Sequence, residues 1–218
     1  MWSSEVTNMI ITGIWETLYM TLVSTLVGYV IGLPMGIILT VSDKDGIKPN
    51  AVLYKILDVI ANIVRSVPFI ILLVLLIPFT RLVVGKSYGS TATIVPLVIA
   101  AAPYIARMVE SSLKEVDAGV IEAARSMGAS NFTIITKVML VEARTSLLVG
   151  ATITLGTILG YSAMSGAVGG GGLGAIAIRY GYTRWQTDIM IVTVILLIIL
   201  FQILSLIHIS EPTRLALI

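Results

Sequence analysis

Residue types on which soluble enzymes rely are scarce in this sequence. It has no cysteine, which excludes disulfides and thiolate metal sites, and its 218 residues include one histidine. Charged residues make up 12% of the chain, against roughly 25% in soluble domains, and hydrophobic residues make up 57%. Together with a mean hydropathy of +1.01, this composition indicates a polytopic membrane protein.

A recognisable catalytic constellation is also missing. Gly85-Lys86-Ser87 is not a phosphate-binding loop, because Thr80 stands where that motif needs a glycine. The glycines of 169–174 match a nucleotide fingerprint, but an apolar span precedes them where a β-strand is required. A flexible external connection, or non-helical backbone at the mouth of a cavity, fits this segment better. Without paired intramembrane carboxylates or metal spacing, the sequence predicts neither an ATPase site nor an ion relay, and no cofactor.

Five apolar stretches are long enough to cross a bilayer, which predicts an all-α fold with five transmembrane helices. Their approximate limits are 18–41, 58–80, 91–106, 146–168 and 187–206. The first charges are Glu5 and Glu16, so the basic start of a cleaved signal peptide is missing and the first span should remain as an anchor. We expect one domain over 1–205, and we interpret 206–218 as an atypical tail, a sequence artefact without a functional role.

The first predicted span carries Gly28, Gly32 and Gly36 at four-residue spacing. In a membrane, such a row of small residues lets a neighbouring helix approach closely, so we expect it to be a packing surface. Pro34 lies within the same span and predicts a kink.

The long polar interval at 107–145, between the third and fourth spans, is predicted to form a compact helical segment. Asp117 is suited to cap a helix beginning at Ala118, and Gly128 is suited to the left-handed position just past its end. Ser130 can then cap the next helix.

This segment has three interpretations. It is a solvated connection, a DNA-binding helix-turn-helix, or a docking element for a partner. Five basic and five acidic side chains balance across the interval, which argues against a phosphate-seeking surface. In the docking interpretation, Ala123 and Ala124 permit close backbone approach and Glu122 supplies a charge.

The distribution of basic residues predicts the orientation of the chain. With the 107–145 segment in the cytoplasm, eight lysines and arginines lie inside and four outside. Five spans then place the N-terminus outside and the C-terminus inside the cell.

Glu122-Ala123-Ala124, followed three residues later by Gly128, resembles the coupling motif of permease subunits of binding-protein-dependent ABC importers. The family pattern continues with an isoleucine and a proline, which are Val138 and Val141 here, so the second helix should end less abruptly. Segments 65–73, 160–174, 179–182 and 187–190 are similar to the methionine permeases of this family. The resemblance extends over about 15–205.

The resemblance implies a homodimeric permease in the bacterial inner membrane, bound to two copies of a cytoplasmic ATPase and to an extracytoplasmic methionine-binding protein. Glu122, Ala123, Ala124 and Gly128 would then couple ATP hydrolysis to alternating access. Near the translocation pathway we place Tyr161, Ser162, Met164 and Ser165, with Met164 as a constriction. A permease for another amino acid and an ATP-independent secondary carrier remain alternatives.

Overall fold

The computed structural model describes the backbone of residues 4–215 and the side chains of residues 4–205, and its regular elements there are all helical. This confirms the all-α fold. The helices are α1 (Ser4–Ser42), α2 (Ala51–Ser66), α3 (Phe69–Leu75), α4 (Ile77–Val84), α5 (Ser90–Lys114), α6 (Ala118–Ser126), α7 (Asn131–Thr133), α8 (Leu140–Glu142), α9 (Arg144–Ser165), α10 (Gly172–Ile176) and α11 (Thr187–Leu215). Two π-helical segments, Ile134–Met139 and Ala177–Tyr182, and a 3₁₀ turn at Gly166–Val168 complete the described chain.

Within the described residues, four helical stretches are long and apolar enough to span a membrane, namely Ser4–Ser42, Ser90–Lys114, Arg144–Tyr182 and Thr187–Ser205. A fifth is obtained when α2 and α3 are counted as one span. The structure differs here from the continuous helix expected at 58–80, because α2 and α3 are bent by 102°. Pro68 lacks an N–H and holds Val67 in an extended conformation (φ −84°, ψ 125°), which ends α2.

Helix α1 is longer than the expected span at 18–41, with 39 residues and a length of about 58 Å. Since the hydrocarbon core of a bilayer is about 30 Å thick, α1 extends well beyond it. Its backbone continues as helix through Pro34 to Ser42. Helix α5 likewise continues past Ala106 to Lys114, so the third span runs directly into the polar segment.

The core is centred on the contact between α1 and α5. Gly28, Gly32 and Gly36 are buried along this contact, as expected of a packing surface. Added Cβ atoms would lie 2.6 Å from the carbonyl oxygen of Ala102 at Gly32 and 2.5 Å from that of Ala106 at Gly36. The two helix backbones are therefore as close as glycine permits.

The glycine-rich segment after α9 is hydrogen-bonded to the N-terminal half of α1. The N–H of Gly172 donates to Glu16 Oε2 at 2.7 Å, and the N–H of Leu173 donates to Thr17 Oγ1 at 2.9 Å. Gly169 and Gly172 have φ of +87° and +78°, where glycine is favoured. The segment lines a cavity of about 400 Å³ with Glu16 and Arg179, which favours the cavity-mouth interpretation over a flexible connection.

The tail predicted as atypical continues from α11, whose helical backbone ends at Leu215. The side chains of 206–215 and all of 216–218 lie outside the described residues, so our interpretation of this tail stays a prediction.

Candidate coupling platform and translocation pathway

The polar interval between the membrane-spanning helices α5 and α9 forms a compact projection, here called the platform, made of α6, α7 and their connections (residues 117–133). Asp117 Oδ1 accepts a hydrogen bond from the N–H of Gly119 at 2.7 Å and caps α6. Gly128 follows α6 with φ +81°, and Ser130 Oγ accepts from the N–H of Thr133 at 3.2 Å. The predicted cap, left-handed glycine and second cap are all confirmed.

The four predicted coupling residues divide between two faces of the platform. Glu122, Ala123 and Gly128 are exposed, whereas Ala124 is only 5% exposed and packs in the main core. The small side chain of Ala124 thus seats α6 against the bundle, and the opposite face is presented outward.

Two large apolar residues at the tip of the platform were missed by the sequence reasoning. Met127 is 81% exposed and Phe132 is 76% exposed. They lie on either side of Gly128, at the end of a polar segment remote from the apolar spans. Apolar side chains flanking a turn glycine were the available signal, and exposed apolar groups of this kind mark contact surfaces.

The platform is tied to the loop that connects α1 with α2. Arg125 donates from Nη2 to the carbonyl oxygen of Ile47 at 3.1 Å. At the end of α5, Lys114 Nζ contacts Asp43 Oδ2 at 2.7 Å and Glu110 Oε1 at 2.8 Å. The hydrogen bond from Lys114 lowers the pKa of the Asp43 carboxyl below its ordinary value. The C-terminal ends of α1 and α5 and the platform therefore form one connected unit.

The platform and the glycine-rich segment lie at opposite ends of the bundle. Glu16 contacts the glycine-rich segment, and Asp43 contacts the base of the platform through Lys114. These two residues of the first-helix region are 27 positions apart, which corresponds to about 40 Å along a helix and exceeds the hydrocarbon thickness of about 30 Å. The two sites are therefore far enough apart to lie on opposite sides of a membrane.

The four predicted pathway residues do not share one surface. Ser162 and Ser165 are buried, and their hydroxyls donate to carbonyl oxygens of their own helix, those of Leu159 at 2.8 Å and Ser162 at 2.6 Å. The ring of Tyr161 stacks on Phe69, with centroids 4.5 Å apart and planes inclined by 3°. Met164 is 52% exposed on the outer face of α9.

Among residues 4–205, no group of three or more histidine and acidic side chains comes together in a way that could hold a metal ion.

Comparisons with known proteins agree with the resemblance seen in the motifs. The family model described as "Binding-protein-dependent transport system inner membrane component" matches residues 28–210. The probable D-methionine transport system permease protein MetI of Vibrio cholerae is 49% identical over 204 residues, covering 94% of this chain and 91% of the relative. The D-methionine transport system permease protein MetI of Escherichia coli is 53% identical over 158 residues, covering 72% and 73%.

Solved structures give the same fold. A chain of the MetNI methionine ABC transporter, in an inward-facing conformation, superposes with a TM-score of 0.94 at 50% identity and covers 96% of this chain and 97% of its own length. A chain of an amino acid ABC transporter crystallised with histidines superposes with a TM-score of 0.79 at 22% identity, covering 96% and 95%, and shows the fold alone.

Proposed function

The chain belongs to the family of binding-protein-dependent transport system inner membrane components, and from that premise we propose that it is the permease subunit of an ATP-driven importer of methionine. As an inner membrane component of a transport system, the chain is not itself an enzyme. The substrate is inferred from relatives about 50% identical over most of the chain, both of which are named for methionine transport.

The observation that carries the proposal is the shape of the platform. It is an ordered, capped projection with an exposed outer face, at one end of a bundle built to stay closely packed. Glu122, Ala123 and Gly128 are on the exposed side, and Met127 adds an apolar contact beside them. A rigid projection of this kind is suited to enter a groove on a cytoplasmic ATPase.

Two sets of contacts connect α6 with the membrane-spanning helices. Ala124 belongs to the same buried cluster as Ile134 of the π-helical segment and Val109 of α5, and Arg125 donates a hydrogen bond to the loop that follows α1. Closure of the ATPase would displace the platform, and α1 and α5 would move with it as packed bodies. Alternating access follows if the two arrangements of the bundle open to opposite sides.

The proposal includes the subunits of the complex and the orientation of the chain in the membrane. We infer a homodimer with two ATPase subunits on the platform side, which is the cytoplasmic side, and a methionine-binding protein on the outer side. The N-terminus then lies outside and the C-terminus inside. The balance of eight inner against four outer basic residues supports this orientation.

Within α9, Met164 is our proposed constriction, because its flexible thioether is exposed and can meet the same residue of the second copy. Tyr161 supports α9 through its stack on Phe69. Ser162 and Ser165 have hydroxyls bonded to their own helix, so we assign them to the packing behind the pathway surface.

Transport by the reconstituted complex tests the proposal. The permease, its ATPase and its binding protein are placed in liposomes, and uptake of labelled methionine is measured with ATP and with a non-hydrolysable analogue. We expect uptake with ATP only, reduced by unlabelled methionine far more than by other amino acids. Uptake without ATP would indicate a secondary carrier, and stronger competition by another amino acid would identify a different substrate.

Gly128→Pro tests the platform specifically. Proline cannot adopt the φ of +81° found at Gly128, so the turn after α6 must rearrange. Gly85→Pro is a matched control, because Gly85 also ends a helix, with φ +80° and no atom within 4 Å of an added Cβ. We expect Gly128→Pro to abolish uptake and Gly85→Pro to retain it. Equal uptake by the two variants would refute coupling at the platform.

A further inference from the structure

Helix α2 is attached to the bundle by its polar face. Ala61 is its one buried residue, while Val52, Ile56 and Ile63 are 71%, 53% and 61% exposed. An apolar face turned away from the protein in a membrane protein is satisfied by lipid, so it provides no attraction toward α5. The polar contacts, together with the buried Ala61, therefore determine how α2 sits on α5.

Those contacts form a row along one face of α2, here called the α2 polar row, consisting of Tyr54, Asp58 and Asn62. Their four-residue spacing places them above one another on the helix. The Tyr54 hydroxyl donates to Glu110 Oε1 at 3.2 Å. Asp58 and Asn62 both accept from Nη2 of Arg107, Asn62 at 3.0 Å.

On α5 the partners are a buried carboxylate and two cations. Glu110 is only 4% exposed, and its Oε2 accepts from Arg107 Nη1 at 2.7 Å. Its Oε1 accepts from Lys114 as well as from Tyr54. A buried carboxylate is tolerated when it is paired in this way, and loss of one partner leaves an uncompensated charge. The α2 polar row and α5 are thus interdependent.

The same contacts connect the platform with the helices on the other side of the bend. Lys114 is the last residue of α5, three positions before the cap of α6. At its far end α2 turns by 102° into α3, whose first residue, Phe69, stacks on Tyr161 of α9. A displacement of α5 can therefore pass through α2 and α3 to the helix that carries Met164.

We propose that Asp58 and Arg107 are positioning residues for transport, whose ion pair makes α2 move together with α5 when the platform is displaced. This inference rests on the proposed function in one respect, namely that an ATPase displaces the platform. Neither residue needs to touch the substrate. Their contribution is to carry α2, and with it the start of α3, along with α5, while α9 packs on α5 directly.

Charge reversal in the complete complex tests the pair. Asp58→Arg and Arg107→Asp are compared with the double variant, and methionine uptake and ATP hydrolysis are measured on the same preparations. We expect each single variant to lower uptake per ATP by about tenfold or more, because contacting charges couple strongly. The double variant should exceed Arg107→Asp alone, because it restores opposite charges between positions 58 and 107, but the recovery is partial because the pairing of Arg107 with Glu110 is lost in both. Asp45→Arg is the matched control, because the Asp45 side chain is 82% exposed and its ion pair among the described residues is with Lys44, at 3.7 Å.

Two results would overturn the proposal. One is a single variant that assembles and keeps the uptake per ATP of the unmodified complex. The other is a double variant that assembles but shows no higher uptake per ATP than Arg107→Asp alone. Should the reversals prevent assembly, Asp58→Asn replaces them, because asparagine keeps an oxygen acceptor for Arg107 and removes the charge. It should lower uptake per ATP without loss of assembly, and an unchanged ratio would count against the pair.

The distance between α2 and α5 tests whether the two helices move together, and this test does not depend on which substrate is transported. Because the sequence has no cysteine, spin labels can be attached at Lys55→Cys on α2 and Ser111→Cys on α5, both exposed positions. We expect one label distance with and without ATP in the otherwise unmodified complex, and a broadened distribution after Asp58→Asn. A distance that changes with ATP would show that α2 and α5 do not move together. A complex that hydrolyses ATP without methionine uptake would contradict the proposed function and leave this measurement valid.

Discussion

A methyl group added to the α1 glycines should destabilise the fold at two positions and leave it nearly unchanged at a third. At Gly32 and Gly36 the new Cβ would lie 2.6 and 2.5 Å from backbone carbonyl oxygens of Ala102 and Ala106. A relaxed carbon–oxygen contact is about 3.3 Å or longer, so α1 and α5 would have to separate by roughly 0.7 Å. Backbone atoms cannot turn aside as a side chain can.

The size of the effect follows from two opposing terms. Overpacking of this kind costs up to about 3 kcal/mol, and a separation of 0.5–1 Å forfeits roughly a quarter to a half of the dispersion energy along the contact. Alanine is a better helix former than glycine by about 1 kcal/mol. We therefore expect a net loss of about 2 kcal/mol for Gly32→Ala and for Gly36→Ala, or about 4–8 °C in the unfolding midpoint for a chain of this length.

Gly28→Ala is the matched control on the same helix and against the same partner. Its Cβ would lie 3.0 Å from Ile105 Cδ1, the end of a flexible side chain, and 3.1 Å from Ala101 Cβ. The second contact needs a shift of only a few tenths of an ångström, less than half of that required at Gly32 and Gly36. The small strain and the gain in helix propensity should nearly cancel. The assay is the fraction of purified permease that remains monodisperse in detergent after heating. Equal losses at all three glycines, or none at Gly32 and Gly36, would refute the reasoning.

Three further predictions concern the platform end of the protein and α9. Gly128→Ala should cost about 1–2 kcal/mol through its left-handed φ alone, and Gly128→Asn less, since no atom lies within 4 Å of an added Cβ; thermal midpoints would show the order. The pKa of Asp43 is lower in the folded than in the unfolded protein, so its ion pair stabilises the fold fully above the ordinary carboxyl pKa and loses this effect as the pH falls through the folded value. The difference in unfolding free energy between the unmodified protein and Asp43→Asn should therefore persist at pH 7 and shrink below about pH 4. A difference that does not change with pH would contradict this. Tyr161→Phe should keep the stack on Phe69 and full stability, whereas Tyr161→Leu should lose about 0.5–1.5 kcal/mol in the same heating assay.

Local chemistry made much of the platform predictable from the sequence. Asp117, Gly128 and Ser130 act on backbone groups within three residues of themselves, so their positions in the sequence determine their roles. The packing role of the glycines on α1 was equally predictable, because glycines four residues apart lie on one face of a membrane helix and let another helix approach closely.

Contacts between distant segments were not predictable in the same way. The polar row on α2 was visible as Asp58 and Asn62 at helical spacing, but nothing in the sequence indicates that Arg107, some 45 residues later, lies between them. The bend of 102° after α2 was also missed, because a proline in a membrane helix kinks it by an amount that its neighbours decide. The sequence also did not predict that Ser162 is buried while Met164 is exposed, because the exposure of each residue on α9 is determined by which other helices pack against it.

The most direct test of the account is the side of the membrane on which the platform lies. Met127→Cys, at a position 81% exposed on the platform, and Tyr88→Cys, at a position 69% exposed near the glycine-rich segment, are each introduced into the cysteine-free chain. Intact cells are then treated with a membrane-impermeant maleimide. We expect labelling at position 88 in intact cells, and labelling at position 127 only after the cells are opened and the complex is denatured, because the ATPase covers the platform. Labelling of position 127 in intact cells would place the platform outside, beyond reach of a cytoplasmic ATPase, and would contradict the mechanism.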